Sequence, residues 1–169
     1  MRMLHTEKDL TMSGRVSTIC IALHAGIPLV SVESATLEAG GGIVGDRYHA
    51  HGGTFSEKLE GSPDWQITLI EQEEIDRFNA TQLVAYPPAS FRRNVVTQGV
   101  RLNELVGQQF SLGDALLEGV RLCEPCAHLA RLVCQEVARD MAHRAGLRAR
   151  IVSGAVVRLD DRVTTGIAV

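Results

Sequence analysis

Short β-branched or alternating apolar runs, separated by glycine turns rather than by regularly recurring helices, constrain this chain most. Val16, Thr18 and Cys20 interleave with Ser17, Ile19 and Ile21 in one such run, and Leu29 to Thr36 repeats the composition with clearer alternation. Gln66 to Ile70 is a third run, and the acidic stretch Glu71 to Asn79 that follows is helix-compatible. Phe91 to Thr97, Gln108 to Leu112 and Ala115 to Leu122 predict further short strands. Ala149 to Val163 predicts two more, broken near Ser153-Gly154 and again at Asp160-Asp161. About seven or eight strands with two helical stretches do not alternate as a doubly wound α/β sheet requires. Closing the strands on themselves hides their edges, and 16 glycines suit the bends that closure needs. The expected fold is mainly β, a closed β-barrel with inserted helices.

At 169 residues the chain fits one domain with a core of its own. Residues 1–13 carry neither period and are expected to form an N-terminal tail, with the domain over 14–169. A net charge of -3, from 17 basic and 20 acidic residues, gives no broad attraction to nucleic acid or anionic membrane, so any anion site must be local. No apolar run approaches the ~20 residues that span a bilayer. Met1 to Ser13 lacks the apolar centre of a secretory signal, and a cytoplasmic location is expected.

Chemistry is concentrated at Cys123-Glu124-Pro125-Cys126. A strand-like run leads into it, while Leu129, Leu132, Val133, Val137 and Met141 recur at the spacing of one helix face behind it. Pro125 suits a first helical position, which places Cys126 in the first turn, where free backbone N–H groups and the helix dipole favour a thiolate. Such positions bring a cysteine pKa down to roughly 3.5–7.5. The spacing leaves three other readings open: a redox dithiol with Cys123, half of a zinc site whose second pair is missing, or a small buried apolar residue. Cys20 and Cys134 complete the four cysteines, and free thiols are expected. Cys134 reads as packing and His128 as a helix histidine near the thiol.

Gly40, Gly42 and Gly45 match the spacing of a dinucleotide-binding loop, but Asp46 to Gly53 reads as loop where that motif needs a helix. The segment is instead a glycine-bounded binding loop carrying Asp46, Arg47, His49 and His51. The two histidines would need a third ligand from elsewhere to hold a metal, so hydrogen bonding is the expected role. Arg92-Arg93-Asn94 opens a predicted strand and sets adjacent guanidinium groups on opposite faces of it. The inward one needs an anion, a phosphate or carboxylate of a ligand or a salt bridge within the chain. Trp65 and Tyr48 are candidates for the walls of a planar-ligand pocket or for core.

Gly45-Asp46-Arg47 with Gly52-Gly53, Arg92-Arg93-Asn94 with Thr97 and Gly99, and Cys123-Glu-Pro-Cys126 with Leu129 resemble, in order, the signature segments of MOSC domains. That family is named for the C-terminal domain of molybdenum-cofactor sulfurases and includes small stand-alone bacterial proteins. The resemblance runs over roughly Gly14 to Thr165, with Asp160-Asp161 where the family usually closes on Gly-Asp. It implies a distorted, closed barrel of the MOSC and pyruvate kinase type.

It also implies that Cys126 is the cysteine that ligates molybdenum or carries sulfur as a persulfide, with Cys123 beside it. The implied holder of molybdenum cofactor (molybdopterin) is the set Asp46, Arg47, His49, Arg92, Arg93 and Asn94. Larger relatives reduce N-hydroxylated bases and amidoximes, so an N-hydroxylated substrate or a sulfur donor is the implied small-molecule partner. A separate protein would supply electrons or sulfur, because no desulfurase domain and no lysine in a pyridoxal-phosphate setting is present. A non-catalytic carrier of persulfide or cofactor, and a Cys-x-x-Cys redox protein, are the other expectations.

Overall fold

The computed structural model describes residues 12–166. Residues 1–11 of the expected tail lie outside the described residues, and the first strand, β1, opens at Ser13 and runs Ser13–Ile21. In chain order there follow β2 (Val30–Val32), β3 (Ser34–Glu38), β4 (Gly42–Ile43), α1 (Ser56–Leu59), β5 (Ile67–Glu71), α2 (Gln72–Asn79), β6 (Val95–Gln98), β7 (Gln109–Leu112) and β8 (Ala115–Leu122). The chain then forms α3 (Ala127–Leu132), α4 (Val137–Asp140), β9 (Leu147–Ser153), β10 (Val156–Arg158) and β11 (Arg162–Thr164).

Seven strands close in the order β1, β6, β5, β9, β8, β7, β11 and back to β1. Every pairing in that ring is antiparallel except β5 with β6. β1 serves three neighbours by dividing its length: Ser13 to Arg15 pair with β11, Arg15 to Ile19 with β6, and Ile19 to Ile21 with β2. A register shift between Val16 and Thr18 provides the bend that sharing requires. β10, β3 and β4 form a small separate sheet.

Alternation along the strands explains two cores. Val16, Ile19, Leu69, Phe110, Leu117 and Leu147 fill the barrel. The intervening Ile70 of β5 and Val96 of β6 bury outward, against Ile75 and Phe78 of α2, Phe91, and Leu129, Val137 and Met141 of the helical segment. β5 is therefore covered on both faces, which is why Gln66 to Ile70 reads as apolar almost throughout.

Four expected element boundaries need correction. Leu29 to Thr36 is two strands, because at Glu33 the chain leaves the edge of β1 to pair with β10 in the other sheet. Arg92-Arg93-Asn94 precedes β6 rather than opening it: Pro88–Phe91 is a 3-10 helix, and Arg92 ends it with φ 58, left-handed backbone that no strand accommodates. The helix behind Cys126 is two short helices, divided where Val133 takes φ -104 and ψ -83; Leu132 is left exposed while Leu129, Val137 and Met141 are buried. The last segment holds three strands in place of two: β9, which extends back to Leu147, β10, and β11 beyond the Asp160-Asp161 turn.

Candidate functional site

The Cys123 to Cys126 segment leaves the end of β8 and is fixed at each step. Cys123 is buried; its N–H donates to the Gly146 carbonyl at 2.7 Å, and its own carbonyl accepts from Nη2 of Arg93 at 3.1 Å. The Glu124 carboxylate accepts from the backbone N–H of His143 and pairs with its ring Nδ1, both at 2.8 Å. Burial alone would raise the Glu124 carboxyl, but those two contacts and the nearby Arg93 bring it below the usual carboxylate range. Cys126 is the residue that caps α3, not a member of its first turn, and its carbonyl accepts the first helical N–H, from Ala130 at 2.9 Å. Its thiol is exposed.

The loop before α1 reaches the same place from the other side of the barrel end. Gly45 has φ 84, and the buried Asp46 carboxylate accepts from the N–H groups of Ala22 and Tyr48, from Nη1 of Arg47 and from Nδ2 of Asn94. Asn94 also donates to the Cys20 carbonyl and accepts from the N–H and hydroxyl of Thr68. Asp46 and Asn94 thus tie the loop to β1 and β5 and do not line the pocket. Arg47 is the residue they aim: 5% exposed, paired with Asp46 and stacked 4.8 Å from the Tyr48 ring centroid. Gly53 closes the loop so tightly against that ring that a Cβ there would collide with it.

Arg92 and Arg93 have opposite duties. Arg93 is buried and gives Nε to the Ala145 carbonyl at 2.8 Å, Nη1 to Phe91 at 3.1 Å and Nη2 to Cys123. It meets backbone oxygens where an anion was expected. Arg92 spends Nη1 on the Ile27 carbonyl at 2.8 Å, while its Nη2 is buried with no partner among the described residues. Burial, and after it the neighbouring Arg47, lower the Arg92 pKa. Among the described residues neither arginine makes a salt bridge.

One narrow cavity of about 50 Å³ gathers Cys126, Cys123, Arg47, Arg92 and Arg93. Arg148 of β9 and His128 of α3 also line it, as do Tyr48, Phe55 and Trp65. The sequence pattern gave Arg148 no signal, because it lies on the half-buried outer side of a strand that alternates cleanly. His128 is more than a helix histidine near the thiol: its Nε2 is buried with no partner among the described residues, and burial, then Arg92, Arg131 and Arg47, depress its pKa. His49 is not brought in; its Nε2 meets Glu38 at 2.8 Å. His51 packs at a tilt of 52° against Trp65, ring centroids 5.7 Å apart, in an adjoining cavity of about 320 Å³ that shares Tyr48 and Trp65 with the first. Among the described residues no three His, Cys, Asp or Glu side chains gather around a cation site, and no helix is long and apolar enough to cross a membrane.

The chain's sequence matches the family model of the MOSC domain over residues 56–164. No curated protein matches it. Among solved structures it is similar to the YuaD protein from Bacillus subtilis, with TM-score 0.76 and 17% identity over 91% of this chain and 96% of that one. It is also similar to YiiM from Geobacillus stearothermophilus, with TM-score 0.69 and 14% identity over 90% and 75% of the two chains. YiiM from Escherichia coli aligns with TM-score 0.62 and 19% identity over 92% and 71%.

Proposed function

The chain belongs to the MOSC domain family, and from that premise we propose that it binds molybdenum cofactor with Cys126 as the thiolate for the metal, working in reduction of N-hydroxylated compounds or in sulfur transfer. The observation that carries this reading is an exposed thiol opening on a pocket lined by Arg92, whose buried Nη2 has no partner among the described residues. An unpaired buried donor is costly, by about 1–3 kcal/mol, unless a ligand acceptor meets it. The donor set fits the group. A thiolate is a soft ligand suited to molybdenum, Arg92 and Arg47 suit an anionic phosphate, and Tyr48 with Trp65 offers aromatic surface between the two cavities for a planar ring.

When bound, the metal supplies an open position for the oxygen of an N–O bond and a route for two electrons. The chain's own residues do the rest. Arg92 and Arg47 bind negative charge, Arg93 holds the Cys123 carbonyl and with it the position of Cys126, and Phe55 and Trp65 limit water. His128 presents a ring nitrogen that exchanges a hydrogen bond with whatever occupies the pocket. Asp46 and Asn94 act through Arg47, by holding its loop. Electrons or sulfur come from a separate protein.

A sulfur-carrying role for the same thiolate is favoured by the size of the cavity, which takes a few waters or one small anion. A Cys123–Cys126 redox pair has less support, because Cys123 is 2% exposed and fixed through both its N–H and its carbonyl. Protein purified from a molybdenum-replete host, assayed with a reduced viologen and an aromatic amidoxime, tests the reductase form. Viologen oxidation is expected in wild type and in Cys123→Ser and lost in Cys126→Ser. Equal loss in both cysteine variants would instead favour the dithiol.

A further inference from the structure

We propose that the small cavity beside Cys126 is a subsite for a sulfur-bearing oxyanion, thiosulfate being the simplest, and that Cys126 takes the outer sulfur of that anion to become a persulfide. This deepens the sulfur-carrying reading above and rests on Cys126 being a working thiolate. Three observations carry it. The inner space of the cavity is about 50 Å³, room for a tetrahedral anion beside the thiol. Its positive groups are under-used: Arg92 has a buried Nη2 with no partner, and Arg47, nine-tenths buried, makes its one side-chain hydrogen bond to Asp46, leaving Nε and Nη2 without partners among the described residues. His128, whose Nε2 is buried with no partner among the described residues, adds a polar group to the lining. Among the described residues no acidic side chain lines the cavity to oppose an anion.

The step balances without an outside oxidant or reductant. The thiol proton leaves to solvent, and the Cys126 thiolate attacks the outer sulfur of thiosulfate. The sulfur–sulfur bond of the anion breaks, and its electron pair departs with sulfite. The new bond joins Sγ of Cys126 to the transferred sulfur, leaving a persulfide anion. Arginines holding the three sulfonate oxygens would bind the donor and stabilise the charge that gathers on the leaving sulfite.

Full-length protein as purified is incubated with thiosulfate, and sulfite release and intact mass are followed. The expected result is one sulfite per chain and the gain of one sulfur atom on Cys126, inhibited by sulfate, with Arg92→Gln needing about tenfold more thiosulfate for half loading. A parallel comparison of iodoacetate with iodoacetamide measures whether anions are drawn to the same thiol. Wild type should favour the anionic reagent, and sulfate should remove the preference. Trp65, the chain's single tryptophan, lines the cavity, so its fluorescence should report sulfate binding with no variant at all. Alkylation of Cys126 by iodoacetamide without any sulfur gained from thiosulfate would overturn the subsite while leaving the thiolate reading intact. Failure of both would remove the thiolate reading too. Sulfur loading that is insensitive to sulfate and undiminished in Arg92→Gln would also overturn it.

Discussion

Two neighbouring arginines show how one dihedral angle separates a structural role from a functional one. Arg93 places three of its five N–H donors on buried carbonyls, a fork geometry that a lysine ammonium cannot reproduce. Arg93→Lys should lower stability by about 2–4 kcal/mol, read by urea unfolding, and speed amide exchange at Cys123. Arg92 sits at φ 58, where a non-glycine residue is strained, with one nitrogen unsatisfied. Such cost concentrates at ligand sites. Arg92→Gly should therefore leave stability within about 1 kcal/mol of wild type, the relieved strain offsetting the greater freedom of the unfolded chain. The same variant should lose the preference of Cys126 for anionic alkylating reagents. A large stability loss would assign Arg92 to the fold.

At the scale of elements, the thiol segment is positioned by the antiparallel pairing of β5 with β9. Gly146 has φ 115 and lies against the Leu69 carbonyl so closely that any Cβ would collide, and its own carbonyl holds the Cys123 N–H. Gly146→Ala should cost about 2–4 kcal/mol from backbone strain and overpacking, lowering Tm by about 5–15 °C. Much of this geometry was legible beforehand. The run from Glu118 to Leu122 into Cys123 predicted a strand, and the apolar spacing from Leu129 to Met141 predicted buried helix positions. The interruption after Leu132 was not, because Val133 continues the spacing while its backbone leaves the helix. Nor was the start of β6, since Val95-Val96 reads as part of a strand running from Phe91 and nothing local marks Arg92 as left-handed. Arg47, Arg92, Arg93 and Cys126 were legible as chemistry, but their shared pocket depends on which strands are neighbours, and Arg148 is invisible without that.

Over the whole molecule, the barrel brings β5 beside β6 in the ring's single parallel pairing, and so sets the loops before α1, before β6 and after β8 around one end. The turn from β5 into α2 carries a cost of that packing. Burial pushes the Glu71 carboxyl above its ordinary value, and Glu74 and Glu73 add to the rise, against the Leu102 N–H and Arg101. With the folded value above the unfolded one, stability is full below the unfolded value near pH 4 and falls as pH rises through the raised value. Glu71→Gln, which keeps an oxygen for Leu102, should stabilise the protein by about 0.5–1 kcal/mol at neutral pH and have no effect in acid. Thermal unfolding at both pH values checks the sign. The central claim, that Cys126 is the thiolate through which the folded chain holds its cofactor, is tested most directly by the molybdenum and pterin content of protein purified from a molybdenum-replete host. Both should be present in wild type and in Cys123→Ser and be lost in a folded Cys126→Ser; equal content with and without the Cys126 thiol, or none in wild type, would contradict the claim.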